Sequence, residues 1–212
     1  MRYYNPFDQF IMQLDSVVRT FAGSGTTTAR DYPADDINDV EFKPNEKKHI
    51  AGLIRVDHSG EVSAQALYQG QALTARNSLI RDKLQQSAIE ENDHLKWTRL
   101  RLQELGSHTS LLNPCWYGGA FAMGVFAGVL GDKWSLGFLA ETEHQVVKHL
   151  QSHLDRLPPE DHRSRAILTQ MKKDEAHHAT TALDNGGVEL PFPVKKLMAA
   201  MSKVMTLSAY YI

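Results

Sequence analysis

The sequence predicts an all-α protein: a four-helix bundle with a crossover helix between its halves and additional helices at the N- and C-terminal ends. Three observations predict it. The pattern Glu-x-x-His occurs twice, at Glu91-Asn92-Asp93-His94 and Glu175-Ala176-His177-His178. Each copy follows an isolated Glu by a similar interval, because Glu61 stands 30 residues before Glu91 and Glu143 stands 32 before Glu175. All four Glu fall on apolar stripes of helical period. Residues three apart on a helix share a face one turn apart, so the carboxylate and imidazole of each pattern can reach one metal ion. Four helices projecting these side chains inward would build a di-iron or di-manganese carboxylate site in a ferritin-like bundle.

The 212 residues are enough for one domain with a real core, over 46–212, preceded by an amphipathic helix and linker over 1–45. Hydrophobic residues at 42% and charged residues at 23% exclude wholesale disorder. A net charge of -2 supplies no field that would recruit nucleic acid. Cys115 is the single cysteine, which excludes an internal disulfide and a thiolate metal cluster. No secretory signal is expected, since no basic start leads into an apolar run with a small-residue cleavage site. Asp8 and Asp15, with only Arg2 and Arg19, argue against a mitochondrial transit peptide.

In chain order, Phe7, Phe10, Ile11, Leu14, Val17, Val18 and Phe21 mark an amphipathic helix over 6–21 that docks on the bundle, its polar face not being basic enough for a membrane surface. Residues 22–45 carry Gly, Thr, acids, Pro33 and Pro44 without periodicity and read as a linker or surface loop. The first bundle helix is expected over 45–77, with Asn45 as N-cap and a stripe of Ile50, Ile54, Glu61, Ala64 and Tyr68. Gly60 beside Glu61 would admit a closely approaching element or ligand. The second helix, 79–105, repeats Leu84, Ala88, Glu91, Leu95, Thr98 and Leu102, and Gly106 stops it.

Residues 111–131 contain no charged side chain, but Pro114 and Gly118-Gly119 are expected to break the run, leaving 11 clean residues from Ala120 to Leu130. That is short of the ~20 a spanning helix needs. Either a buried crossover helix or a segment dipping into a bilayer face fits, and Gly124-x-x-x-Gly128 permits close helix contact. The third helix, 132–156, carries Leu136, Leu139, Ala140, Glu143, Val146, Val147, Leu150 and Leu154, with Glu141 off the stripe and solvated. The fourth, 160–185, carries Leu168, Met171, Glu175, His178 and Ala182, while His177 points elsewhere. After Pro193 a Met-rich helix with Leu197, Met198, Met201, Val204, Met205 and Leu207 either packs on the bundle, the favoured reading, or forms a greasy entrance for a lipid-like substrate.

Six residues follow as the expected metal ligands: Glu61, Glu91, His94, Glu143, Glu175 and His178. Four buried carboxylates would not stay ionised unpaired, and their four negative charges match two divalent cations. Oxygen and imidazole donors without thiolate suit iron or manganese. Asp57, one turn before Glu61, either steadies a ligand histidine or is a surface acid, and His149 stands as a residue at the edge of the site.

At these residues the chain resembles the demethoxyubiquinone hydroxylase family. The likeness rests on Ile54-Arg55-Val56-Asp57-His58-Ser59-Gly60-Glu61, Tyr68-Gln69-Gly70-Gln71, Glu90-Glu91-Asn92-Asp93-His94-Leu95 and Asp174-Glu175-Ala176-His177-His178, and covers residue 45 to the C-terminus. It departs at Glu143-His144, where animal members have Glu-Glu, and at His149-Leu150, where they have His-Tyr. The resemblance implies two iron ions on those six ligands, with Glu61, Glu91, Glu143 and Glu175 as the catalytic carboxylates. It also implies a monooxygenase that hydroxylates the ring of a demethoxyubiquinol with O2 in ubiquinone biosynthesis. Its substrate would be a polyprenyl quinol, and its setting peripheral on the cytoplasmic face of a bacterial inner membrane. Other ubiquinone-biosynthesis proteins and a second copy of the chain are its candidate partners. The rivals on the same bundle are a ferroxidase or iron-storage protein and a non-enzymatic lipid-binding helical partner.

Overall fold

The computed structural model describes the backbone of residues 6–23 and 25–212, and their side chains apart from those of 6–10 and 12–14. Among the described residues there are seven helices and no strand: α1 (Pro6–Ala22), α2 (Pro44–Thr74), α3 (Ser78–Glu104), α4 (Asn113–Val129), α5 (Asp132–Arg156), α6 (His162–Asp184) and α7 (Phe192–Ala209). The short turns between α2 and α3 and between α5 and α6 make two antiparallel hairpins. These hairpins form a ferritin-like four-helix bundle, and α4 is the crossover that packs along α2.

Helix α2 is the central element. From Ile50 to Ala72 every residue but Gly60 and Ser63 is buried, because α3, α4, α5 and α7 surround it. It starts one residue earlier than expected. Pro44, with its fixed φ and missing N–H, suits the first helical position, and Glu46 accepts from the Lys43 N–H at 3.0 Å, so Asn45 lies inside the first turn and is not the cap. Helix α3 is capped by Asn77, which accepts from the Leu79 N–H at 2.9 Å, and Gly106 ends it with φ +62°.

The apolar core divides into two main layers. Ile50, Leu53, Ile54, Trp97, Leu102, Leu150, Leu154, Leu168 and Met171 fill one end of the bundle. Leu67, Leu84, Leu136, Leu139 and Ala182 fill the other. The positions of all six expected ligands fall between these layers on their four helices.

The charge-free segment differs from its expectation. Pro114 sits in the first turn of α4, where no helical hydrogen bond is lost, and Gly118-Gly119 continue the helix. Glycines seat α4 on α2. A Cβ at Gly124 would stand 2.4 Å from the Leu67 carbonyl oxygen, and one at Gly70 would stand 2.4 Å from that of Phe121. Among the described residues no helix is long and apolar enough to cross a membrane.

Three surface expectations need correction. Glu141 is buried, because α7 covers it and brings Lys195 Nζ to 3.5 Å. The apolar stripe of α7 does not pack as a whole: Met198 and Met205 turn inward, whereas Leu197 (62% exposed), Val204 and Leu207 face out. On α1, Val17 and Phe21 pack against the bundle but Ile11 and Val18 are exposed, while Phe7, Phe10 and Leu14 lie outside the described side chains. The segment after α1 has no regular structure, yet it is a strap fastened to the bundle. Ala34 is fully buried, and Asp39 accepts from Arg101 at 2.8 Å.

Candidate metal centre

Helices α2, α3, α5 and α6 bring Glu61, Glu91, His94, Glu143, Glu175 and His178 together at mid-bundle, each no more than 4% exposed. His94 Nδ1 lies 3.4 Å from Glu61 Oε2, 3.3 Å from Glu91 Oε2 and 2.9 Å from Glu175 Oε1. His178 Nδ1 lies 3.3 Å from Glu91 Oε1 and 3.1 Å from Glu175 Oε2. Glu91 and Glu175 therefore each offer one oxygen to each histidine. Glu61 belongs to the His94 side. Glu143 joins the cluster from α5, held by a 2.9 Å hydrogen bond donated by Tyr68.

The far nitrogens of both imidazoles are held by acids that the spacing argument missed. His94 Nε2 meets Asp174 Oδ2 at 3.0 Å, and His178 Nε2 meets Glu90 Oε2 at 2.8 Å. Each contact crosses from one Glu-x-x-His helix to the other and aims Nδ1 at the cluster. The signal was present in the sequence: an acid directly precedes each ligand Glu, at Glu90-Glu91 and Asp174-Glu175. Arg30 on the strap adds a layer no pattern announced. It donates to Asp174 at 2.7 Å and to Asp93 at 3.0 Å, with its guanidinium 4.9 Å from the Trp97 ring centre. Asp57 does not serve a ligand histidine and is no surface acid. It is buried beside His153, with Oδ1 2.8 Å from Nδ1.

Burial and mutual repulsion dominate the electrostatics of the cluster. Burial, followed by the repulsion of Glu91, pushes the Glu61 carboxyl well above the usual range. Burial, then Glu175 and Glu91, does the same to Glu143. Burial opposes charge on Glu91 as well, but the adjacent His178 and His94 imidazoles outweigh it and hold that carboxyl low. Both histidines are pushed up against burial, His94 chiefly by the charge of Glu175 and His178 by its hydrogen bonds to Glu175 and Glu90. Glu91 Oε1, Glu143 Oε2 and Glu175 Oε1 are buried without a hydrogen-bond partner. Four carboxylates, two imidazoles and three unpartnered oxygens fit a cation-binding centre. The donor atoms of Glu61, Glu91, His94 and Glu175 lie within 4.8 Å of one another and can hold a metal ion.

A cavity of about 280 Å³ runs from this cluster to the surface between α2, α4, α5 and α7. Glu61 and Gly60 form its inner wall, with Leu67, Met123, Phe138 and Met205 among its apolar lining. A Cβ at Gly60 would meet nothing within 4 Å, so that glycine leaves open space for a ligand beside Glu61.

The profile of the family described as "Ubiquinone biosynthesis protein COQ7" matches residues 48–209. The chain belongs to this family. Three similar proteins bear the name 3-demethoxyubiquinol 3-hydroxylase. That of Nitrosococcus oceani is 56% identical over 211 residues, covering 100% of this chain and 99% of its own. That of Acinetobacter baumannii is 54% identical over 212 residues, covering 100% of both chains. That of Nitrosomonas europaea is 55% identical over 205 residues, covering 97% of this chain and 98% of its own. These alignments reach the strap and α1, which lie outside the 48–209 match and for which the sequence alone offered no likeness.

Proposed function

We propose that this chain is a 3-demethoxyubiquinol 3-hydroxylase, a monooxygenase whose six clustered residues hold two iron ions. The observation that carries the metal assignment is the division of Glu91 and Glu175, each with one oxygen toward His94 and the other toward His178. Two carboxylates shared between two histidines support a pair of cations, which Glu61 and Glu143 would help to hold. Four carboxylates balance two ferrous ions, and the thiolate-free donor set suits iron. When bound, the iron pair supplies activation of O2 for transfer of one oxygen atom to the substrate ring.

The chain's own residues supply positioning. Asp174 and Glu90 hold Nε2 of the two histidines, leaving both Nδ1 atoms for the cations. Tyr68 steadies Glu143. The apolar cavity suits the prenylated ring of a lipid substrate and reaches the cluster beside Gly60. Exposed Phe126 and Val129 on α4, Leu130 just after it, and Leu197, Met201, Val204 and Leu207 on α7 lie on the helices that line the cavity, which supports peripheral attachment to the cytoplasmic face of a bacterial inner membrane. Other ubiquinone-biosynthesis proteins and a second copy of the chain are proposed as partners at this surface.

The test is metal analysis with Mössbauer spectroscopy of the anaerobically reduced protein, followed by O2 and demethoxyubiquinol. The expected result is two high-spin ferrous ions per chain, and hydroxylated product carrying label from 18O2. A protein replete in iron that oxidises it without consuming quinol would instead be a ferroxidase. Glu91→Ala is expected to abolish both metal binding and product.

A further inference from the structure

We propose that Asp57, His149 and His153 form a second cation site, separate from the four-glutamate cluster, for one divalent first-row transition ion such as Zn2+ or Fe2+. Asp57 lies on α2 one turn before Glu61, about 6 Å along the helix axis. His149 and His153 are four residues apart on α5, on one face of that helix. Asp57 Oδ1 is 2.8 Å from His153 Nδ1 and 4.0 Å from His149 Nε2, and the three donor atoms lie within 4.8 Å of one another. Donors bound tetrahedrally at about 2.0–2.1 Å stand roughly 3.3 Å apart, a spacing that falls between the 2.8 Å and 4.0 Å separations of Asp57 Oδ1 from the two imidazoles.

Hydrogen bonding does not explain the grouping. Asp57 is 3% exposed and His153 is 1% exposed. Both Asp57 oxygens, His153 Nδ1 and His149 Nε2 are buried without a hydrogen-bond partner, although one pair is only 2.8 Å apart. A simple Asp–His pair would align its N–H with the carboxylate, because an unmatched buried carboxylate is costly. A cation placed among the three satisfies all of them at once. Two imidazoles and one carboxylate without thiolate form a donor set for Fe2+, Zn2+ and similar ions rather than Mg2+ or Ca2+. Burial pushes His149 down to about 4, so its ring is neutral and ready to ligate. Asp57 and His149 both line the apolar cavity, whose space leaves a further coordination position for water or a ligand oxygen. Nothing in this site depends on the hydroxylase reading.

The test uses the full-length Glu91→Gln/Glu175→Gln chain, in which the glutamate cluster is disabled, stripped of metal and titrated with Co2+ and Zn2+. The expected result is one equivalent bound, with visible Co2+ absorption of an imidazole-ligated ion. Adding Asp57→Asn or His153→Gln is expected to weaken binding by at least the roughly 10–100-fold seen when a residue beside a metal ligand is lost. No bound cation, or equal binding after Asp57→Asn, overturns the proposal. Should either background fail to fold, the wild-type chain is compared with partly exposed His149→Ala by metal analysis. Loss of one equivalent of Zn2+ then supports the site, and an unchanged content overturns it.

Discussion

Gly60 separates what helix stability asks from what the cavity asks. A helix-interior glycine costs about 0.5–1 kcal/mol relative to alanine, and a Cβ there would meet nothing within 4 Å. Gly60→Ala is therefore expected to raise the unfolding free energy by about that amount in urea denaturation, while lowering quinol affinity by filling space beside Glu61. Two residues before Gly60, His58 is buried with both ring nitrogens unpartnered, and burial pushes it down to about 4. Its folded value lies below the unfolded 6.5, so its contribution is present above pH 6.5 and is lost as pH falls toward 4. Between pH 7 and pH 5 this one group is expected to cost about 2 kcal/mol of stability, and His58→Gln should flatten that part of the stability–pH curve. At this scale the six clustered residues were legible because ligands on one helix obey its period. The acids directly before two of them, Glu90 and Asp174, carried a sequence signal, but their cross-helix partners were not legible, and Arg30 reaches Asp174 from the strap, a meeting that no spacing encodes.

Among the elements, the strap shows how a stretch without periodicity can still be held. Arg101 is fully buried and donates to Asp39 on the strap, to Glu104 on its own helix and to Asp161, the N-cap of α6. Arg101→Ala strands the fully buried Asp161 carboxylate, and removing one partner of a buried pair costs about 3–5 kcal/mol. Chemical denaturation should register a loss of that order, and limited proteolysis should cut first within residues 25–43. Helix boundaries were legible to within a few residues wherever Pro, Asn or Gly punctuates the chain, as at Pro44, Gly106 and Asn185-Gly186. The errors came where a neighbour overrules local preference. Gly118-Gly119 stay helical within α4, and Glu141 is covered by α7. Val204 and Leu207 fit a helical stripe yet face outward, because a period shows that a helix has an apolar side and not what that side meets.

For the molecule as a whole, a charged layer lies between two apolar ones, with an apolar cavity leading to it. The exposed residues of α4 and α7 suit a lipid surface, and Phe126 separates from Phe121 in this respect. Phe126 is 65% exposed, whereas Phe121 stacks with Tyr117 at 6.4 Å between ring centres. Phe126→Ser with Leu197→Ser is expected to weaken liposome sedimentation by at least tenfold, since each buried side chain of this size contributes about 1.5–3 kcal/mol. Metal content should stay unchanged. Phe121→Ser should instead lower thermal stability, and equal liposome binding by the Phe126/Leu197 variant would count against this surface.

The glycine contacts between α2 and α4 carry one more consequence. Where two backbones touch without side chains between them, neither helix can slide or tilt without a clash, so these two walls of the cavity behave as one rigid plate. Any widening to admit a bulky ring must come from the opposite bank. There α7 rests on adaptable methionine side chains, which makes it the wall best suited to yield.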